Sequence, residues 1–146
     1  MRLKLFTILI ALTIITTYCG CTASKQDVKG EKSEGTSRDY PVKFNDAWDI
    51  SKKVLYWEDC EDIIESRYLG YMLTNIDHSN LLVSNECVVG VWVDSIAVDS
   101  SRVTVVSKRK RKTQIGKAFT EDNFHDSFII ATEMLKKGQK VPVEKP

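Results

Sequence analysis

Whatever chemistry this 146-residue chain can do rests on four cysteines, two histidines and one unbroken run of cations. No Cys-x-x-Cys pair is present, so a dithiol redox centre is not expected. His78 and His125 lie far apart, and neither has companions at metal-ligand spacing. His125, Asp126 and Ser127 are the residue types of a hydrolytic triad, but neighbours along a helix point in different directions and cannot form one locally. The sequence contains no Gly-x-Ser-x-Gly, His-Glu-x-x-His or phosphate-cradling glycine loop. Residues 108–112 read Lys108, Arg109, Lys110, Arg111, Lys112. Such a run either contacts an anionic partner or keeps a sheet edge from pairing with another chain. Its acidic counterpart, Glu58, Asp59, Glu61, Asp62 and Glu65, either faces it or neutralises a partner. Trp48, Trp57 and Trp92 read as packing residues rather than a ligand cage. With 42% hydrophobic and 28% charged residues, folding is expected without metal or cofactor.

The amino-terminal stretch decides where this chemistry would operate. Arg2 and Lys4 precede an apolar run over residues 5–15 that only Thr7 and Thr13 interrupt. Eleven or so residues rising ~1.5 Å each cannot cross a hydrocarbon core of ~30 Å, so the run reads as an export signal rather than a permanent span. The residues that follow, Tyr18, Cys19, Gly20, Cys21 and Thr22, resemble the lipobox of bacterial lipoproteins, in which a small residue precedes a lipidated cysteine. The resemblance implies a signal peptide over residues 1–20, acyl chains such as palmitate on Cys21, and loss of Cys19 with the signal. The absence of aspartate after Cys21 implies the outer membrane, facing the periplasm. Cys60 and Cys87 then remain in an oxidising compartment, where two thiols tend to pair. A disulfide between them would stabilise by about 2–4 kcal/mol; the alternative is two unpaired thiols, one at a helix end and one in a strand. Without Arg2 and Lys4 the balance is 19 cations to 20 anions, near −1. Nucleic acid is therefore not an expected partner; lipid head groups and other envelope polyanions are.

The elements that must position these residues follow from periodicity. Residues 22–39 are almost wholly polar, so a lipidated cysteine and flexible linker are expected over 21–40, a globular domain over 41–140 and a tail over 141–146. A short strand at 41–44 leads into a helix over 46–56, with Asn45 as cap and Ala47, Ile50, Val54 and Trp57 on one stripe. Residues 62–66 and 70–76 form a hairpin, followed by a turn at 78–80, an apolar stretch at 81–83 and strands at 87–93 and 102–107. Thr120 caps a last helix through Phe124, Phe128, Ala131 and Leu135, which Lys136, Lys137 and Gly138 close. This order predicts an α+β two-layer sandwich: an antiparallel sheet of four to five strands with two helices on one face.

Ala47 and Trp48 early in the first helix, Gly70 with Thr74 in the hairpin, and the helix over 124–135 resemble small envelope lipoproteins with a BamC-like helix-grip fold. That resemblance implies a fold and transfers no activity. The expectation is a membrane-anchored, non-catalytic binding or assembly module. It would contact another envelope protein or an anionic envelope polymer through a sheet edge or the patch at 108–112. The alternatives are a lipid-tethered enzyme acting on cell-wall or lipid substrates, with His125 among its groups, and a small-ligand sensor with a pocket between sheet and last helix.

Overall fold

The computed structural model describes residues 23–77, 86–110 and 119–146. In chain order these form α1 (Lys25–Lys29), a 3-10 turn (Lys32–Glu34), β1 (Thr36–Tyr40), α2 (Phe44–Trp57), β2 (Glu61–Ser66), β3 (Tyr71–Asp77), β4 (Glu86–Ala97), β5 (Ser100–Arg109) and α3 (Glu121–Lys136). The five strands make one antiparallel sheet in the order β1-β5-β4-β3-β2. The α+β sandwich is as expected, and so are α2 and α3 together on one face. Tyr40, Met72, Ile76, Val89, Val91, Val93, Val103 and Val105 line that face beneath Ala47, Ile50, Val54, Phe124 and Phe128.

Three boundaries differ from expectation. The first strand is Thr36–Tyr40 rather than 41–44, pairing with β5 in the register Arg38 to Val103. The stretch expected as a flexible linker is folded from Ala23 onward: Ser24 and Asp27 form a capping box on α1, and Val28 is fully buried. One apolar side chain and a reciprocal cap offset an ordering cost that composition alone left unmet. The stretch expected as a tail also joins the core, because Val141 is buried and the Trp57 indole donates to the Pro142 carbonyl at 3.2 Å.

The short helix α1 supplies a cover on the other sheet face. There Val28 packs with Leu73, Val88, Trp92 and Val106, and Ala23 and Tyr71 lie against the cluster. Along β4 the residues from Cys87 to Val93 are all buried, so the strand is apolar on both sides rather than alternating. Gly90 permits the close approach: a Cβ there would lie 2.6 Å from the Trp92 ring and 2.7 Å from Val28 Cγ1.

Both long helices end in Schellman motifs. In α3 Gly138 takes a φ of 71°, with Gln139 N–H donating to Met134 O at 3.0 Å and Gly138 N–H to Leu135 O at 2.9 Å. In α2 the left-handed position falls on Asp59 (φ 59°), with Cys60 N–H on Leu55 O at 2.9 Å and Asp59 N–H on Tyr56 O at 3.1 Å. This second motif turns Cys60 back into the core.

Gly90→Ala is expected to lower unfolding stability by about 1–3 kcal/mol, the usual cost of forcing extra volume into a packed site. A urea denaturation midpoint equal to that of the parent would contradict the packing of Trp92 and Val28 over β4.

Candidate functional site

His125 leaves α3 on its inward side and is fully buried. Its Nε2 lies 3.0 Å from the Thr36 carbonyl, which can only accept, so Nε2 carries the proton and donates. Nδ1 is then the acceptor for the Tyr40 hydroxyl at 2.8 Å. Burial lowers the His125 pKa below its ordinary 6.5, with the hydrogen bond to Thr36 opposing. Burial raises the Tyr40 phenol to about 12. Both ring nitrogens thus join β1 to α3, and neither offers a free lone pair to a substrate. Its neighbours diverge, as adjacent helical residues must: Asp126 faces Arg38 at 3.4 Å, and Ser127 donates to Glu58 at 2.9 Å.

Cys60 follows the end of α2, and Cys87 stands near the start of β4. Both are buried free thiols. Burial pushes the Cys60 thiol far above its ordinary range and the Cys87 thiol to about 11. Neither forms a thiolate near neutrality, which is the state that attacks electrophiles or disulfides.

The described cations of the run, Lys108, Arg109 and Lys110, have different surroundings as β5 ends. Lys108 ion-pairs with Glu31, whose hydrogen bond raises the Lys108 pKa. Lys110 reaches Glu86 at 3.8 Å and also lines a cleft of about 690 Å³ with Asp59, Glu61, Asp62, Tyr56 and Asn75. The basic and acidic clusters therefore meet at this end of the sheet. Arg109 lines a second cleft, of about 350 Å³, with Cys87, Phe119 and Glu121. Arg111, Lys112, His78 and residues 81–83 lie outside the described residues, as does Cys21. Glu58 and Glu65 turn away from the acidic cleft, to Lys145 at 2.8 Å and Lys52 at 2.9 Å.

Glu121, in the first turn of α3, holds the rim of the second cleft together. Its Oε2 accepts from Thr36 N–H at 2.9 Å and Thr36 Oγ1 at 2.5 Å, and its Oε1 accepts from Ser107 N–H at 2.9 Å. One carboxylate thus ties helix α3 to β1 and β5. Trp48, Trp57 and Trp92 are all buried, as packing residues are. Among the described residues no three His, Cys, Asp or Glu side chains are grouped to hold a metal ion, and no helix is long and apolar enough to cross a membrane.

The feature that sequence reasoning missed lies at the opposite end of the sheet. The turns joining β2 to β3 and β4 to β5 display Tyr68 and Val98, which are 97% and 87% exposed; Leu69 in the first turn and Ile96 near the end of β4 are exposed as well. The signal was present: turns favour Gly, Pro, Asn, Asp and Ser, and aliphatic or aromatic residues at these positions have no conformational reason to be there. No protein-family model matches the chain, and no curated protein matches it.

His125 is neutral in the fold and has a lowered pKa, so its contribution is fully present above pH 6.5, its unfolded value, and is lost as pH falls from there through the folded pKa. Urea midpoints measured from pH 8 to pH 5 are expected to fall over that window, and His125→Gln should flatten the decline. The thiols generate a separate expectation. A chromogenic disulfide reagent at neutral pH should titrate neither Cys60 nor Cys87 in the native protein and both after denaturation; rapid native reaction would contradict their burial.

Proposed function

We propose that the chain is a lipid-anchored protein of the bacterial envelope, cut before Cys21 and acylated there, whose domain binds another envelope component without catalysing a reaction. The anchor reading is supported by the order of Arg2 and Lys4, the apolar run over 5–15, and Gly20 before Cys21. Several acyl chains, each contributing about 0.8 kcal/mol per buried methylene, hold such a protein stably where one chain would not. Thr22 and Ala23 after the cysteine favour the outer membrane with the domain in the periplasm.

The observation that carries the binding reading is the apolar end made by Tyr68, Leu69, Ile96 and Val98. Tyr68 and Leu69 in the β2–β3 turn, and Ile96 and Val98 at the tip of the β4–β5 hairpin, keep much of their apolar surface in water at one end of the sheet, which supports a contact role. The basic run is a weaker contact than its charge suggests, since Lys108 and Lys110 already face Glu31 and Glu86. The residues offered for catalysis serve other ends: His125 bridges two elements, and both thiols are buried.

Mass spectrometry of the protein made in a bacterial host is expected to find a new terminus at Cys21 bearing acyl mass, and Cys21→Ser should release the protein from the membrane fraction. An intact initiator end on the membrane-bound protein would overturn the anchor. Tyr68→Ser combined with Val98→Ser should leave stability within about 0.5 kcal/mol while abolishing crosslinking to envelope proteins. Undiminished crosslinking would remove the apolar end from the binding reading.

A further inference from the structure

Cys21 lies two residues before Ala23, and a chain spans at most about 3.6 Å per residue, so the Cα atoms of these residues are within ~7 Å of each other. Ala23 packs against the cluster of Val28, Leu73, Val88, Trp92 and Val106, on the sheet face opposite α2 and α3. The leash available to a lipid on Cys21 is therefore shorter than the width of one helix. We infer that the sheet face covered by α1 lies directly against the headgroup layer of the anchoring bilayer, with α2 and α3 turned away from it. This inference rests on the anchor reading proposed above and gives it a geometry.

The residues of this face suit a headgroup layer without depending on charge. Lys29 is exposed and sits 4.8 Å from the centroid of the Tyr71 ring, and Lys25 reaches the Asp62 carbonyl at 3.4 Å. Two ammonium groups thus flank α1 at the surface nearest the anchor, where each gains about 1 kcal/mol from anionic lipid. Among the described residues of the face, Lys32 pairs with Asp94, Arg102 with Asp39 and Lys108 with Glu31. Attachment comes from the acyl chains, and orientation from the short leash. Loss of Lys25 and Lys29 alone should leave the orientation in place.

The test uses the lipidated full chain in nanodiscs of phosphatidylethanolamine and phosphatidylglycerol, carrying a nitroxide on Gln26→Cys or on Asp49→Cys. Both positions are exposed, on α1 and α2 respectively, and the buried native thiols stay unlabelled. Collision with a water-soluble nickel chelate is expected to be severalfold lower at position 26 than at position 49. A flexible Gly/Ser spacer of about twelve residues inserted before Ala23 should erase the difference, because it lets the domain stand ~20 Å away. Equal accessibility at the two positions, on protein whose mass confirms acylation, would overturn the orientation and leave the anchor standing. Protection that survives the spacer would overturn the leash as its cause. Absence of acyl mass would overturn the anchor and the orientation with it.

Discussion

Strand β4 is apolar on both sides, and a strand in that position must be covered twice. The two long helices cover one side with a core of ordinary depth. The other side has only α1, a helix of five residues, and it suffices because Gly90 lets Val28 and Trp92 settle close to the strand backbone. Much else follows from that constraint. The amino-terminal segment must fold back over the sheet, which brings Glu31 to Lys108 and Lys32 to Asp94 and leads the chain into β1 at the far edge.

Edge strand β1, apart from Tyr40 in the core, is then held by polar bonds. Glu121 and His125, four residues apart and so on one face of α3, both reach Thr36: the first takes its N–H and hydroxyl, the second its carbonyl. Arg38 faces Asp122 at 2.7 Å from the same strand. The most catalytic-looking segment of the sequence is thereby consumed in docking a strand to a helix.

The elements that could be read from sequence were those whose signals are local. α3 has a capping threonine, a periodic apolar stripe and a glycine in left-handed conformation just past its end, and its limits were anticipated. α2 has its stripe where expected but starts at Phe44, because Asn45 serves Arg67, accepting at 2.7 Å, rather than capping the helix. The strands of the two hairpins were legible from β-branched runs. β1 was not, since Thr36, Ser37, Arg38 and Asp39 meet charged or hydroxyl partners and show no alternation of apolar residues. α1 was missed because its single buried residue, Val28, gains its meaning from Gly90, distant in sequence. Sequence distance likewise separates Cys60 from Cys87 and the basic run from the acidic cluster, so whether such groups meet depends on topology rather than spacing.

The far rim of the sheet has a consequence for crowding. Between Glu61 and Ile64 strand β2 carries one residue more than its partner stretch in β3, and Asp62 absorbs the excess with a φ of 50°. A rim bent in this way, with carboxylates along it, makes a poor template for a neighbour's backbone. Were the chain held in a membrane plane, where molecules collide far more often than in three dimensions, a straight and apolar rim would let neighbours zip into ribbons; the kink at Asp62 breaks the row of backbone groups that such pairing needs.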